Sequence, residues 1–445
     1  MVFGKKDLEY RQFSEGNFIK IRHLVIDDIC FHLKAIRMNL SSKKLSTLYL
    51  TRNGLMEPLG QSQVFAYLRG LSKDYDITLI TFEKAEDLAD EAALERARKD
   101  CARYGIRWLP QRFHGRPKGI AHVWSMLIFF WLCVRVTYSR GAQLIHARSY
   151  IPAAVALVAG AITRTPFIFD MRALWPEEMI TAGRLRRGSP AHRAIAATER
   201  LCIKRAAAVV SLTESAVVHL QEIYPREMAE QRLAIIPTCA DLNRFVPAPF
   251  HDSPRIYGCL GTILSGWFRQ DWLAAFFQAA ARRDVNSEFH IITRDDPKKV
   301  REAMGGNPAF QSRLQIYSMA PHEVHKAVQR QSVSAMFFTE GLSKLGSSPT
   351  RLGELLGCGI PVVANAGVGD VAQIIERNCV GVLARSSATE DMDEVLDALE
   401  RLTADPHLPS RCRKTAEEVF SLEAGTRAYR ELYASILPLQ TSKTT

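Results

Sequence analysis

The chain has 445 residues, of which 47% are hydrophobic and 24% charged, with a formal net charge of +11. This is the composition of an ordinary globular protein, long enough for two or three domains. Its nine cysteines show no CxxC pair or metal-type spacing, which excludes a disulfide framework or a cysteine zinc motif and favours a reducing compartment.

Basic residues are concentrated in the first half of the chain. Residues 1–245 contain 36 Lys and Arg against 24 Asp and Glu, whereas the remainder contains 22 against 23. A basic half suits an anionic partner such as nucleic acid, a phosphorylated lipid or a membrane surface, and it is also compatible with a merely soluble basic surface. Residues 1–44 show no clean pattern and no apolar signal segment, so we expect an extension there and a cytoplasmic location.

Strand and helix patterns alternate from residue 45 onward. KLSTLYL predicts a first strand, and EPLGQSQVFAYLRGLSKDY predicts a loop followed by an amphipathic helix with Val64, Leu68 and Leu71 on one face. A charged helix is predicted at EKAEDLADEAALERARKD. Further strands are predicted at DITLITF, AQLIHARS, PFIFDMR and AVVSLTES, and we expect the second of these to end at His146.

One apolar segment is a candidate for membrane contact. Val123–Val136 is apolar on all sides until Arg135, and it is shorter than the roughly 20 residues needed to span a bilayer. It fits a buried helix, or an interfacial helix at an anionic membrane surface. The interfacial interpretation rests on the aromatic and basic residues Trp124, Trp131, Arg112, Arg116, Lys118 and Arg135.

The second half repeats the alternation of strands and helices. Its strands are predicted at RIYGCLGTI, SEFHIITRDD, RLQIYSMAP, SAMFFTEG, IPVVANAG and VGVLARS, after a linker near Pro247–Pro254. The pattern predicts an α/β protein with two doubly wound, Rossmann-like domains that face a central cleft. We place these domains at 45–246 and 255–420, followed by a last helix at 421–438. Ligands in such sheets bind beyond the carboxyl ends of the strands.

The stretch SSPTRLGELLGCGIPVVA, residues 347–364, carries the strongest local signal. Ser348 is predicted to cap a helix, Pro349 fits its first turn, and Thr350 with the free amides of that turn forms an anion site. Glu354 lies one turn deeper on the same face, where a carboxylate could accept hydrogen bonds from a ribose diol. The alternative is a capped helix with a solvated glutamate.

This stretch resembles the SPTKxxE element of GT-B fold glycosyltransferases of family 4, the large bacterial group 1 class that uses nucleotide sugars. Similar elements follow in order at LMEPLGQSQVFAYLRGL, LIHARSY with FIFDMRALWPEE, NAGVGDVAQII and FSLEAGTRAYRELY. The resemblance covers about residues 45–435. It implies a GT-B fold and a last helix that crosses back to the first domain. It further implies a retaining, metal-independent transfer to a glycan or lipid-linked acceptor, in bacterial surface polysaccharide or glycolipid synthesis at the inner face of the membrane.

The resemblance also implies roles for particular residues. Glu354 would bind the donor ribose, and the other donor-binding positions would be Gly60, Gly261, Thr262, Ser348, Pro349, Thr350, Gly367 and Gly369. Two features depart from the family pattern. Many members have a first glutamate eight residues before the one that corresponds to Glu354, and this position is Gly346 here, with Glu340 as a weak substitute. The usual pair of cationic residues after GCLGT is out of register. Arg269 is the nearest cation that could serve as a phosphate clamp.

Candidate catalytic residues come from two strands of the first half. His146 and Asp170 are expected at strand ends that face the cleft, and Asp170 with Arg172 could position or deprotonate the acceptor hydroxyl or stabilise the reacting sugar. The alternatives are a satisfied core or loop histidine for His146 and a local ion pair for Asp170 and Arg172. We count Glu354 with these three as the catalytic set.

Other functional classes fit parts of the sequence. Gly367-x-Gly369-x-x-Ala372 matches a dinucleotide fingerprint, but no ribose-binding acid follows the next strand. Asp74-Tyr75-Asp76 precedes its strand, and Asp295-Asp296 fits a polar loop, so we expect no metal. A nucleotide-sugar epimerase of the same fold and an inactive membrane-associated scaffold remain alternatives. We expect no cofactor and no nucleic-acid partner.

Overall fold

The computed structural model describes residues 44–113, 120–249 and 254–437, without the side chains of residues 120–125. Contacts within the chain divide it into the units Met1–Leu45 and Ser46–Thr445. The first unit, and with it the predicted extension over residues 1–44, lies almost wholly outside the described residues. The description below concerns the second unit.

The first half of this unit is built on a seven-stranded parallel sheet. Its strands, in the spatial order β3-β2-β1-β4-β5-β6-β7, are β1 (Leu45–Thr51), β2 (Tyr75–Glu83), β3 (Arg107–Arg112), β4 (Leu144–Arg148), β5 (Phe167–Asp170), β6 (Ala208–Ser211) and β7 (Leu233–Ile235). The three strands β4, β5 and β6 are buried along their whole length. Such strands belong to a sheet that is covered by helices on both faces.

The helices of the first half alternate with these strands. The segments Pro58–Gly60, Gln61–Phe65 and Ala66–Leu71 run on as one helix, α1, with a π-helical turn in its middle. The others are α2 (Ala85–Ala89), α3 (Glu91–Arg103), α4 (Ile120–Arg140), α5 (Tyr150–Thr163), α6 (Trp175–Thr181), α7 (Pro190–Arg205), α8 (Glu214–Ile223) and α9 (Pro225–Ala229).

The second half is built on a six-stranded parallel sheet. Its strands, in the order β10-β9-β8-β11-β12-β13, are β8 (Ile256–Leu260), β9 (Glu288–Ile292), β10 (Leu314–Tyr317), β11 (Val333–Met336), β12 (Val362–Asn365) and β13 (Gly381–Ala384). The helices are α10 (Gln270–Arg283), α11 (Pro297–Met304), α12 (Pro308–Arg313), α13 (Val324–Val328), α14 (Leu342–Leu345), α15 (Thr350–Gly357), α16 (Val371–Asn378), α17 (Thr389–Thr403), α18 (Leu408–Phe420) and α19 (Leu422–Ile436).

Both sheets reverse their strand order beside their first strand. In the first sheet the reversal lies between β1 and β4, and in the second between β8 and β11. The crevice at such a reversal is where ligands bind in doubly wound sheets. The predicted α/β class with two doubly wound sheets is therefore confirmed.

Two predicted elements differ in their bounds. The charged helix is two helices, α2 and α3, because Asp90 leaves the helical conformation and its carboxylate caps α3 by accepting from the Ala93 amide at 2.9 Å. Strand β4 does not end at His146 but continues to Arg148, so His146 lies inside the strand.

The apolar helix α4 is longer than predicted, and its two sides differ. Phe129 and Cys133 are buried against the first sheet, whereas Leu127 is 54% and Trp131 55% exposed. The predicted segment is therefore not uniformly buried but covers the core with one side only. The described part of the chain contains no helix both long and apolar enough to cross a membrane. The side chain of Trp124 and residues Arg116 and Lys118 lie outside the described residues.

Several hydrogen bonds join the two halves. The carboxylate of Asp370, at the start of α16, accepts from the amides of Glu214 and Ser215 at 2.7 and 2.9 Å and so caps α8 of the first half. Thr238 donates to the Ser348 carbonyl at 2.8 Å. Helix α19 returns to the first half, where the Tyr429 ring lies 5.1 Å from that of Tyr67 on α1.

Candidate functional site

A cleft of about 1400 Å³ is lined by residues from both halves of the chain. From the second half it is lined by residues that directly follow β8, β9 and β11, including Gly261, Thr293 and Phe338. The first half contributes Arg172, two residues beyond β5. The cleft therefore lies at the β8/β11 reversal, where the topology predicts a ligand.

Helix α15 presents its first turn to this cleft. Ser348, Pro349 and Thr350 all line the cleft, as the sequence predicts for an anion site. The predicted cap is wrong in detail, because Pro349 is the N-cap and no side chain caps the helix. The Ser348 hydroxyl instead lies 3.2 Å from the Thr238 hydroxyl. No side chain therefore occupies the amides of the first turn, and although the Leu352 amide donates to the Pro349 carbonyl at 3.0 Å, those of Thr350 and Arg351 remain available to an anion.

Glu354 also lines the cleft, one turn below Thr350. Burial raises the pKa of its carboxyl group, and Arg351 and Arg244 offset only part of that effect. Its side chain makes no hydrogen bond or ion pair with another of the described residues. An unpartnered carboxylate beside a cleft is suited to accept hydrogen bonds from ligand hydroxyl groups.

Arg351 is the cation that lies closest to the end of β8. Its guanidinium packs 5.1 Å from the ring centre of Phe338 and 5.9 Å from that of Phe268. Gly261 has φ +105°, and a Cβ there would collide with this guanidinium. Nη1 of Arg351 is buried without a hydrogen-bond partner among the described residues, and burial lowers the pKa of the group. Glu354 offsets only part of this effect, and an anionic ligand would recover the free energy that an incompletely compensated buried cation costs.

Lys344 supplies a second cation to the cleft. Its Nζ lies 3.5 Å from the ring centre of Trp267, a cation–π contact, and burial lowers the pKa of its ammonium group. In total, the cleft is lined by seven basic side chains and by three acidic ones, Asp100, Asp241 and Glu354. The basic side chains are Arg69, Arg103, Arg172, Arg244, Arg294, Lys344 and Arg351. This excess of positive charge favours an anionic ligand.

Four predicted donor-binding residues do not line the cleft. Arg269 is paired with Asp271, at 2.9 Å from Nη2 to the carboxylate, so it is not the predicted free phosphate clamp. Gly60 is required by packing within the first half, since a Cβ would collide with the backbone of Gly54 and Leu55. Gly367 and Gly369 lie in the loop before α16, and Gly369 packs against the carbonyl of Ser347 and the side chain of Thr213.

The predicted catalytic pair His146 and Asp170 does not face the cleft. The two residues are 1% and 0% exposed, and Asp170 Oδ2 lies 3.2 Å from His146 Nε2. The other ring nitrogen of His146 is 2.8 Å from the Tyr433 hydroxyl. Burial lowers the pKa of His146, which keeps the imidazole neutral with both nitrogens engaged. The prediction that these side chains open into the cleft is therefore wrong, and only Arg172 of this group reaches it.

The position of the missing first glutamate is filled by close packing. Gly346 lies against the first half, where a Cβ would be 2.9 Å from the backbone nitrogen of Leu174. A side chain there would need the two halves to move apart. The Glu340 side chain packs against Gly367, and Glu340 does not line the cleft.

The acidic loop after β9 has a structural role. Asp295 accepts hydrogen bonds from the amides of Ile263 and Leu264 at 2.6 and 2.9 Å, which shapes the loop after β8. Among residues 44–113, 120–249 and 254–437, no group of three or more acidic, His or Cys side chains is placed to hold a metal ion.

Sequence reasoning missed Lys344, Arg351 and Trp267 as cleft residues. A signal was present for Arg351, which occupies the basic position of the SPTKxxE-like element. For Lys344 and Trp267 no local signal exists, because their contact joins positions 77 residues apart in the chain.

Comparison with known proteins agrees with this geometry. Residues 60–244 match the model of Glycosyltransferase Family 4. A comparison with characterised proteins by sequence finds no significant match. A glycosyltransferase from Rickettsia africae has a TM-score of 0.63 at 14% identity, over 89% of this chain and 99% of that one. HepE from Anabaena in complex with UDP has a TM-score of 0.60 at 14% identity, over 88% of this chain and 100% of that one.

Two further structures widen the comparison. Sucrose-phosphate synthase from Thermosynechococcus elongatus gives a TM-score of 0.58 at 14% identity, over 88% of this chain and all of that one. A protein described as a UDP-N-acetylglucosamine 2-epimerase from Listeria monocytogenes has a TM-score of 0.54 at 13% identity, over 88% of this chain and 96% of that one. The chain therefore has the GT-B fold. Residues 60–244 of this fold are similar to the Glycosyltransferase Family 4 model.

Proposed function

We propose that this protein is a retaining, metal-independent glycosyltransferase that moves a sugar from a nucleotide diphosphate sugar to a glycan or lipid-linked acceptor. The observation that carries the proposal is the cleft at the β8/β11 reversal, in which unpartnered cations and the first turn of α15 lie beside the unpartnered Glu354. A diphosphate and a ribose diol together match those groups. HepE, which shares the fold, has been solved with UDP and with UDP-glucose.

The two halves would bind different substrates. Residues 255–420 would hold the donor and residues 45–246 the acceptor, with the helix at 421–438 crossing back to the first domain. Glu354 would bind the ribose, and Thr350, the α15 amides, Arg351 and Lys344 would hold the diphosphate. Gly261 and Thr262, which follow β8 and line the cleft, would approach the nucleotide with little side-chain bulk.

The transfer would rest on positioning and charge stabilisation. The bond between the anomeric carbon and the diphosphate oxygen breaks, and a bond from the acceptor oxygen to that carbon forms on the same face. The acceptor proton goes to an oxygen of the departing diphosphate. The cleft cations stabilise the charge that develops on this leaving group. Closure of the halves excludes water and protects the activated sugar from hydrolysis.

A panel of nucleotide sugars with candidate acceptors tests the proposal. Purified protein should release a nucleoside diphosphate only when an acceptor is present, with the same rate after treatment with EDTA. Retention is read from the anomeric configuration of the product. Isomerisation of the donor without an acceptor would instead indicate an epimerase, and binding without turnover would indicate an inactive scaffold.

We also propose a peripheral position at the inner face of a bacterial membrane, in surface polysaccharide or glycolipid synthesis. Leu127, Trp131 and Tyr138 are exposed on α4, beside exposed Val158 and Ile162 on α5. Exposed cations border this surface, and the Arg135 guanidinium lies 5.0 Å from the Trp131 ring centre. Apolar and basic groups combined in this way favour anionic lipid.

Vesicle flotation tests this position. Wild-type protein should bind vesicles that contain phosphatidylglycerol more strongly than pure phosphatidylcholine vesicles, and Trp131→Glu should reduce this binding. Val285→Glu is a control, since Val285 is an apolar residue 74% exposed in the second half. Equal binding by wild type and Trp131→Glu would contradict the proposed surface.

A further inference from the structure

A buried polar cluster lies beneath the cleft, at the ends of β4 and β5. We call His146, Arg148, Asp170, Arg172 and Tyr429 the Asp170 cluster. Asp170 Oδ2 accepts from the Tyr429 hydroxyl at 3.1 Å, and Oδ1 accepts from Arg172 Nη1 at 3.3 Å. Arg172 Nη1 also lies 3.3 Å from the Tyr429 hydroxyl oxygen. The cluster thus joins the first sheet to α19, across 259 positions of the chain.

The cluster carries more positive than negative charge. Asp170 is its only carboxylate, and it faces two guanidinium groups, with Arg148 Nη1 at 3.5 Å and Arg172 Nη1 at 3.3 Å. Burial would raise the pKa of Asp170, but Arg172, the hydrogen bond with His146 and Arg148 hold it well below its usual range. Asp170 is therefore ionised and His146 neutral, which leaves one uncompensated positive charge.

The unpaired donors of this cluster lie on the two arginines. Nη1 of Arg148 and both Nε and Nη2 of Arg172 are buried without a hydrogen-bond partner among the described residues. Arg148 is 3% exposed and does not line the cleft, whereas the side chain of Arg172 is 12% exposed and does line it. Arg172 is thus the member through which an external anion could compensate the excess charge.

The same cleft contains Arg351, whose Nη1 is also buried and unpartnered. Arg172 comes from the first half and Arg351 from the second. Two guanidinium groups that keep N–H atoms without a hydrogen-bond partner among the described residues, and that line one cavity from its two halves, match a ligand with two anionic groups. Guanidinium groups bind phosphate through paired N–H donors, and the Nε and Nη2 atoms of Arg172 are such a pair.

We propose that Arg172 binds the diphosphate of the donor from the first half, and that Tyr429 and Asp170 are positioning residues that fix its guanidinium. This inference rests on the proposed function for the identity of the ligand. Asp170 and Tyr429 hold the Nη1 end of the guanidinium, and Nε and Nη2, which have no hydrogen-bond partner among the described residues, would turn toward the ligand when it binds. Tyr429 of the last helix thereby takes part in the donor site without itself lining the cleft.

Calorimetric titration with inorganic pyrophosphate tests the inference without any transfer reaction. Arg172→Gln should weaken pyrophosphate binding about tenfold or more, because a bidentate charged contact is lost. Tyr429→Phe should weaken it about three- to tenfold. The double variant should bind no more weakly than Arg172→Gln alone, since Tyr429 acts only through Arg172. A merely structural role of Tyr429 would not produce this non-additivity.

Tyr150→Phe is the matched control. The Tyr150 hydroxyl also donates to a buried carboxylate, that of Glu199 at 2.6 Å, but Tyr150 does not line the cleft. This variant should retain wild-type pyrophosphate affinity even if its melting temperature falls.

Several results would overturn the inference. One is wild-type protein that does not bind pyrophosphate. Another is an Arg172→Gln protein that binds pyrophosphate as tightly as wild type does. The third is a double variant whose loss of affinity equals the sum of the losses from Arg172→Gln and Tyr429→Phe. The proposed function fails separately. A protein that binds pyrophosphate through Arg172 but transfers no sugar would contradict the function alone, and transfer that is indifferent to Arg172→Gln would contradict the inference alone.

Discussion

Replacement of Glu354 by glutamine tests the donor site most directly. Glu354 lines the cleft, and its carboxylate has no hydrogen-bond or ion-pair partner among the described residues. Glutamine has the same shape, so packing against the neighbours in α15 is retained. What changes is the acceptor capacity, because the amide presents one acceptor oxygen where the carboxylate presents two.

The expected loss follows from the hydrogen bonds that a ribose diol would make. Each hydrogen bond to a charged group contributes about 1.5–3 kcal/mol, and the glutamine oxygen retains part of one. The net loss of about 2–4 kcal/mol corresponds to a decrease of roughly 30- to 900-fold in kcat/KM for the donor.

The stability of the variant should change in the opposite direction. Burial raises the pKa of Glu354, so the folded protein holds this proton more tightly than the unfolded chain does. As pH rises from the ordinary value of 4.5 through the raised pKa, ionisation of the buried carboxyl destabilises the wild type. Glu354→Gln should therefore melt at the same or a higher temperature at neutral pH, with the difference disappearing near pH 4.

Steady-state kinetics with varied donor and a melting curve for each protein form the assay. Glu199→Gln is the control, because Glu199 is a buried glutamate that accepts from Tyr150 and Tyr224 at 2.6 and 2.8 Å and does not line the cleft. It should keep the donor kcat/KM. A Glu354→Gln protein within threefold of wild-type kcat/KM would refute the ribose assignment, and a large fall in melting temperature would refute the stability argument.

Three further variants test the cleft and the contact between the halves. In calorimetry, Arg351→Gln should weaken the binding of a nucleoside diphosphate about tenfold or more and leave the binding of the nucleoside unchanged, since it removes only a phosphate contact. Equal losses of affinity for both ligands would contradict this. Gly346→Glu should lower stability by about 1–3 kcal/mol in urea denaturation rather than raise activity, because its Cβ would lie 2.9 Å from the Leu174 nitrogen. A more active Gly346→Glu protein of unchanged stability would show that the first glutamate can be restored. Asp370→Ala should cost about 1–2 kcal/mol by removing the hydrogen bonds from the Glu214 and Ser215 amides at the start of α8, where Thr213 remains the N-cap, and an unchanged urea midpoint would show that this contact contributes nothing.

The sequence was sufficient for the alternation of elements and for placing Thr350 and Glu354 in one cleft. Buried parallel strands are continuous apolar runs, so IYGCL and PVVAN could be recognised directly. Thr350 and Glu354 lie on one short helix, where spacing alone fixes which side chains share a face. Local patterns of this kind do not depend on the rest of the fold.

One failure came from a local ion pair and another from contacts between distant parts of the chain. Arg269 is near the β8 loop in sequence, but Asp271, two residues away, pairs with it at 2.9 Å. Asp170 ends its strand as predicted, yet Tyr429 and Tyr433 from α19 cover this region, and the Tyr433 hydroxyl bonds to His146. A strand pattern specifies where a side chain leaves the sheet, but it does not specify which remote helix packs over that position.

The same long-range contacts explain how the cleft stays charged without a ligand. Burial of the Arg351 guanidinium reduces the stability of the folded chain, because its Nη1 has no hydrogen-bond partner among the described residues and burial lowers the pKa of the group. The rest of the fold must tolerate that cost, and the contact with Tyr429 helps to fix the Arg172 guanidinium in place. A donor diphosphate that supplies the missing anions would then be bound by cations that are already oriented. Such preorganisation places the binding energy where charge develops in the transition state.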